Sequence, residues 1–192
     1  MEAPDSTPPT AAPGGPRTRP LEETPALAQQ AAALLRTPKA LVALTEEDAR
    51  HVIPYMRLVS FAAGATVFRE GDDAGTSYLL LLLEGEVSVD AGQNEPVPIS
   101  VLGPGSIIGE MALLDGAPRS ASCTAISAVR AAGLSRRGLE LLVDEHPKVA
   151  ARLMAGLGQR IADRLRALGE QLQMYVQIND QLRAEIAALK GR

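Results

Sequence analysis

The chain has 192 residues, 46% of them apolar, and a formal net charge of -4 from 19 Lys+Arg and 23 Asp+Glu. A balance this mild offers no general basic field for nucleic acid or an anionic membrane surface. The longest unbroken apolar run, residues 78–83, is far shorter than the roughly 20 residues a membrane helix needs. A single cysteine, Cys123, excludes an internal disulfide and any four-cysteine metal site, and two histidines, His51 and His146, leave little material for a metal centre. No cofactor is expected. Glu2 and Asp5 near an N-terminus without an apolar stretch argue against a secretory signal, so the expected location is cytoplasmic.

Taken in chain order, residues 1–38 hold eight of the 14 prolines. Residues 1–25 read as a disordered Pro/Ala-rich tail, because they have little to bury. Residues 26–38 are compatible with a short helix that Pro38 would stop. Residues 39–146 form the expected globular domain, with a net charge of -7, and residues 147–192 form an arm of +4. Thr45-Glu-Glu-Asp48 is a helix N-cap signature with acids in the first turn, predicting a short helix to about Ile53. From Phe61 to Gly116 nine glycines punctuate short apolar runs at Thr66–Phe68, 78–83, 87–89 and Val97–Leu102. Residues 122–130 read as one more strand. Many short strands with regular glycine punctuation predict an all-β roll or barrel. The unbroken leucines at 79–83 suit a strand buried on both faces.

No proline follows Pro147, and the apolar residues take helical spacing. In heptad terms the d positions are Ile161, Leu168, Tyr175, Leu182 and Leu189, and the a positions are Leu165, Leu172, Asn179 and Ile186. A polar Asn at one a position fixes the register of a parallel two-stranded coil, and Glu185 at g can pair with Lys190 at the following e of a second copy. The expectation is a long C-terminal helix, coiled coil from about residue 161, that joins two chains in a parallel homodimer. The alternative is a helix folded back on its own domain.

The stretch richest in chemistry is residues 103–125, GPGSIIGEMALLDGAPRSASCTA. Gly-Pro-Gly makes a turn, and Gly109 precedes a short helical run that begins with Glu110. A helix start presents unbonded backbone N–H groups that favour an anion. Arg119 can meet a phosphate with a forked pair of hydrogen bonds, Ser120 adds a hydroxyl, and a carboxylate at Glu110 suits a sugar hydroxyl. These residues describe a ribose-phosphate site. The alternative is an ion pair between Glu110 and Arg119 at a surface turn.

GEMALLDGAPRSAS resembles the phosphate-binding cassette of cyclic nucleotide-binding domains, such as those of cyclic-AMP-dependent kinase regulatory subunits and the catabolite activator protein family. Phe61-x-x-Gly64, Val67-x-x-x-Gly71-Asp72, Glu84-Gly85-Glu86 and Leu102-Gly-Pro-Gly105 extend the likeness over about residues 40–165. The resemblance implies a mainly β fold, a jelly-roll-like β-roll with flanking helices and the nucleotide inside. It implies that Glu110 accepts from the ribose 2′-hydroxyl and Arg119 pairs with the cyclic phosphate. Gly109, Met111, Ala112 and Ala121 would contribute backbone contacts and Ser120 a donor. The base would be read by the helix after the roll, where Arg164 and Leu165 fall on the positions that are polar in the bacterial activators. Arg164 is equally compatible with an exposed stalk position.

The resemblance implies a non-enzymatic receptor for cyclic AMP, with cyclic GMP as the alternative ligand, acting through its helix on an unidentified effector protein. Two other readings stay open. One is a coiled-coil assembly protein with a non-essential pocket; the other is a transcription regulator without its DNA-binding domain. No recognition-helix pattern follows the long helix, so DNA is not an expected partner, and with no apolar run near membrane-helix length neither is a membrane. His51, without a second ligand nearby, reads as structural, and Cys123 as a small core residue.

Overall fold

The computed structural model describes residues 17–36, 43–73, 78–92 and 97–190. The elements are β1 (Arg17–Pro20), α1 (Pro25–Leu35), α2 (Glu46–Val52), β2 (Met56–Phe61), β3 (Thr66–Phe68), β4 (Tyr78–Glu84), β5 (Val87–Ala91), β6 (Val97–Leu102), β7 (Ile107–Ile108), α3 (Glu110–Asp115), β8 (Ser122–Ala125), β9 (Val129–Ser135), α4 (Arg136–Glu145) and α5 (Pro147–Lys190). The strands form two antiparallel sheets, ordered β1-β2-β9-β4-β7 and β3-β8-β5-β6. This is the expected β-roll with flanking helices and a long C-terminal helix.

β4 shows why its sequence carries no alternation. Successive strand residues face opposite sides, and both sides of this strand are covered. Leu80 and Leu82 join Val59, Phe61, Val87, Val89, Cys123 and Ala131 between the two sheets. Leu79, Leu81 and Leu83 face a second core built with α1, α2, α4 and the start of α5. All five leucines are at most 1% exposed.

Three boundaries differ from the sequence reading. The tail assigned to residues 1–25 ends earlier: β1 pairs with β2, and Leu21 is fully buried. Residues 1–16 lie outside the described residues. Helix α1 belongs to the body, since Leu27, Ala31, Ala32 and Leu35 are buried in the helical core and Gln30 Nε2 donates to the Leu83 carbonyl at 2.8 Å. Residues 122–130 are two strands in different sheets, not one. The chain turns at Ile126-Ser127-Ala128, where the Ser127 hydroxyl accepts from the Glu86 amide at 3.0 Å.

The helices are pinned by side chains at their ends. Thr45 and Asp48 cap α2 reciprocally, the Thr45 hydroxyl accepting from the Asp48 amide and the Asp48 carboxylate from the Thr45 amide. Asp48, 8% exposed, also receives Arg152 of α5 at 2.7 and 2.8 Å. Burial alone would raise the Asp48 pKa. The Thr45 hydrogen bonds and the Arg152 charge outweigh it and lower the carboxyl below its usual value.

Helix α5 has 44 residues and so runs roughly 66 Å. Its first turns bury Val149, Ala150, Leu153 and Leu157 against the body. Farther along, Leu165, Leu168, Leu172, Tyr175, Leu182 and Ile186 are all at least 45% exposed. The Leu189 side chain of the expected seam lies outside the described set. Among the described residues no helix is long and apolar enough to cross a membrane.

Candidate functional site

A cavity of about 510 Å³ opens between the sheets and α5. Its wall includes Phe68, Val89, Ser100 and Cys123 from the roll, Gly109, Glu110, Met111, Ala112, Arg119, Ser120 and Ala121 from the cassette, and Ile161, Arg164, Leu165, Leu168 and Gln171 from α5. The structure therefore brings every cassette residue singled out in the sequence to one cavity, together with Arg164 and Leu165. Three seam positions, Ile161, Leu165 and Leu168, share that wall.

The local backbone explains how Glu110 and Arg119 come together. β7 ends at Ile108, and Gly109 takes a left-handed conformation, φ 75°, that turns the chain directly into α3. A second left-handed glycine, Gly116 at φ 73°, ends that helix after six residues. The chain then returns antiparallel to the segment at 71–72: the Arg119 amide donates to the Asp72 carbonyl at 3.0 Å and the Gly71 amide to the Arg119 carbonyl at 2.8 Å.

Glu110 and Arg119 are 8% and 6% exposed, so neither sits at a surface turn. Arg119 donates through Nη1 to the Gly109 carbonyl at 2.9 Å and through Nη2 to the Tyr78 carbonyl at 3.0 Å. Its guanidinium lies 3.8 Å from the Phe68 ring centroid and 5.1 Å from that of Tyr78. Two of the chain's five aromatic residues are thus spent on orienting one arginine. Burial pulls the Arg119 pKa down, opposed by Tyr78, Cys123, Asp72 and Glu110, but a guanidinium stays charged in any such setting. The result is a fixed cation in the wall of a mostly apolar cavity, where a charge-assisted pair with an anion gains strength.

Glu110 has an ion-pair partner on the other side. Arg164 Nη1 of α5 stands 3.8 Å from Glu110 Oε1. At that distance the pair is electrostatic contact without a close hydrogen bond. A ligand hydroxyl can therefore approach the carboxylate without first breaking a short bond. Arg164 is half-buried against the cavity, not a purely solvated stalk residue.

Sequence reasoning missed three features. The Phe68 and Tyr78 cage could have been suspected only from their scarcity. The Ser100 hydroxyl is buried in the wall without a hydrogen-bond partner. A buried orphan hydroxyl costs free energy unless something satisfies it, and a polar ligand in this cavity is in place to do so. Gln171, one heptad beyond Arg164, also lines the cavity.

Cys123 is buried, and burial pushes its thiol up to about 11, with Arg164 and Arg119 pulling the other way. It is protonated at neutral pH and supplies no nucleophile. The structure corrects the reading of the histidines. The His51 and His146 rings are 5.0 Å apart, so His51 does have a second imidazole nearby. Among the described residues there is still no group of three or more His, Cys, Asp or Glu able to hold a metal ion.

Comparisons with known proteins agree with this geometry. The family model for the cyclic nucleotide-binding domain matches residues 58–146. The chain is 27% identical over 124 residues to the CRP-like cAMP-activated global transcriptional regulator of Mycobacterium tuberculosis, covering 65% of this chain and 52% of that protein. It thus spans about half the length of the curated relatives it matches first. Among solved structures, a cyclic nucleotide-binding domain from Methylobacillus flagellatus is 33% identical with a TM-score of 0.67, over 73% of this chain and 79% of that one. The regulatory domain of Toxoplasma gondii PKA, crystallised with cAMP, is 30% identical with a TM-score of 0.53, over 60% of this chain and 44% of that one. With the cassette, the roll and these likenesses in agreement, the chain belongs to the cyclic nucleotide-binding domain family.

Proposed function

We propose that the protein is a non-enzymatic cyclic nucleotide receptor whose ligand is cyclic AMP. The observation that carries this reading is the joint placement of two buried, opposite charges, Glu110 and Arg119, on one cavity. Arg119 pairs with the cyclic phosphate, and Glu110 accepts from the ribose 2′-hydroxyl. Gly109, Met111, Ala112 and Ala121 line the sugar-phosphate with backbone, and Ser120 donates to it. Arg164 and Leu165 sit against the base. Cyclic AMP is favoured over cyclic GMP because the relatives named for a ligand include a cAMP-activated regulator and a cAMP complex.

The exposed apolar residues of α5 are covered by a second copy in a parallel homodimer, with Ile161, Leu165, Leu168, Leu172, Tyr175, Asn179, Leu182, Ile186 and Leu189 along the seam. Glu110 trades Arg164 for the ribose hydroxyl on binding, which shifts α5 and signals to an effector protein. Support comes from the one helix that bears both the Arg164 contact and the exposed apolar stripe.

Calorimetric titration with cyclic AMP and cyclic GMP tests the reading. The wild-type chain binds one or both, and Arg119→Ala weakens binding at least about tenfold, which is about 1.4 kcal/mol. Arg119→Lys does not rescue, since an ammonium cannot keep both carbonyl contacts and the ring stacking. A folded wild-type dimer that binds neither nucleotide overturns the receptor reading and leaves an assembly protein built on α5.

A further inference from the structure

The cassette is held from outside by residues that do not touch the cavity's ligand face. Arg136, the first residue of α4, donates through Nη2 to the Leu113 carbonyl at 3.1 Å and the Ala112 carbonyl at 3.5 Å. Both carbonyls lie at the C-terminal end of α3, where a cation is favoured both as a donor and by the helix dipole; the Ala112 carbonyl also accepts from the Gly116 amide at 3.2 Å. The same guanidinium lies over Gly116, within 3.4 Å of where a β-carbon would stand. At the entry to the cassette, Arg160 of α5 donates through Nη1 to the Gly105 carbonyl at 3.0 Å and through Nη2 to the Leu34 carbonyl of α1 at 2.7 Å. Arg160 thus ties the turn before β7 to α1 and α5 together.

We propose that Arg136 and Arg160 are positioning residues of the ligand site, fixing the exit and the entry of the 105–116 segment to the C-terminal helices. The carbonyls they hold belong to the backbone that sets where Gly109 and Glu110 stand. Between Gly105 and Ala112 the chain makes one left-handed turn and one helix start, so a displacement at either end moves the Glu110 carboxylate. The two contacts also work in reverse. Any rotation of α4 or α5 pulls on the cassette, so ligand affinity and the placement of those helices become one coupled quantity. A fastening of this kind differs from a contact with the nucleotide: it acts through backbone and makes no demand on the base.

The inference rests on the nucleotide-receptor reading, and the experiment separates the two. Full-length wild type, Arg136→Ala, Arg160→Ala, Arg136→Lys and Arg137→Ala are titrated calorimetrically with cyclic AMP and cyclic GMP, and each is unfolded in urea without nucleotide. Arg137 is the control: it neighbours Arg136, pairs only at long range with Glu140 at 3.5 Å and is exposed. Arg136→Ala and Arg160→Ala weaken binding at least about fivefold, the lower end of ordinary coupling between sites. They do so to a similar degree for both nucleotides. Arg136→Lys recovers part of the loss, and Arg137→Ala stays at the wild-type affinity. If Arg160→Ala does not fold, the Arg136 pair alone decides. Affinities of folded Arg136→Ala equal to wild type, with only the urea midpoint lowered, show a structural role and overturn the inference while leaving the receptor reading intact. A wild type that binds neither nucleotide overturns both.

Discussion

Alanine at position 109 places a methyl group in the most crowded backbone corner of the site. Gly109 holds φ at 75°, and a β-carbon there would stand 2.9 Å from Phe68 Cζ and 2.9 Å from the Tyr78 carbonyl oxygen, and closer still to the Arg119 guanidinium. The left-handed conformation costs an L residue about 1–2 kcal/mol. Forcing a methyl group into a filled site adds about 1–3 kcal/mol. Gly109→Ala therefore loses about 2–5 kcal/mol of stability. Gly64→Ala is the internal reference, because Gly64 has φ 78° with nothing within 4 Å of its β-carbon position, so only the conformational cost applies. Urea unfolding of both variants without nucleotide isolates the crowding as the difference between them, at least about 1 kcal/mol. Because the methyl group meets Arg119, Gly109→Ala also loses nucleotide affinity, whereas Gly64→Ala keeps it. Equal losses of stability in the two variants, with affinity retained in Gly109→Ala, would refute the tight Gly109–Arg119–Phe68 arrangement.

Other outcomes follow from the same contacts. The folded Asp48 carboxyl titrates below its unfolded value, so its stabilisation is present above the unfolded pKa of about 3.9 and is lost as pH falls through the lower folded value. Asp48→Asn is then less stable than wild type at pH 7, by about 1–3 kcal/mol, and the gap closes in acid below that window; a gap independent of pH would contradict the ion pair. Cys123, buried and with its thiol raised to about 11, reacts with iodoacetamide only on unfolding; fast alkylation of the native chain at pH 7.5 would mean the wall of the cavity is open. Leu172→Asp puts a charge in the exposed apolar stripe of α5 at a residue that does not line the cavity. Sedimentation equilibrium shows the wild type as a dimer and this variant as a monomer that still binds nucleotide. A variant that stays dimeric would place the interface elsewhere.

The cassette was legible because its chemistry is local. Glu110 and Arg119 are nine residues apart, and Gly109 and Gly116 mark the turns that fold that short stretch back on itself. Helix α5 was legible for a similar reason, since its spacing repeats within one element. What the sequence hid lies in long-range pairing. β1 reads as tail because Arg-Thr-Arg-Pro has no apolar pattern, and only its ladder to β2 makes it a strand. The break at Ile126-Ser127-Ala128 has neither Gly nor Pro; it is made by a distant backbone amide at Glu86 and by Gly85 packing against Ala128. Beyond the nearby Gly109 carbonyl, Arg119 is held by the Tyr78 carbonyl and the rings of Tyr78 and Phe68, forty and more residues away, and no spacing rule connects them. Arg164 paired with Glu110 across 54 residues is hidden for the same reason.

The central claim is that the cavity between the roll and α5 holds a cyclic nucleotide by Arg119 and Glu110. A crystal structure of the full chain grown with cyclic AMP tests it most directly. The account predicts density in that cavity, with the cyclic phosphate within hydrogen-bond reach of Arg119, the ribose 2′-hydroxyl on Glu110 and the base toward Arg164. Nucleotide bound elsewhere, or a cavity empty at saturating ligand, would contradict it.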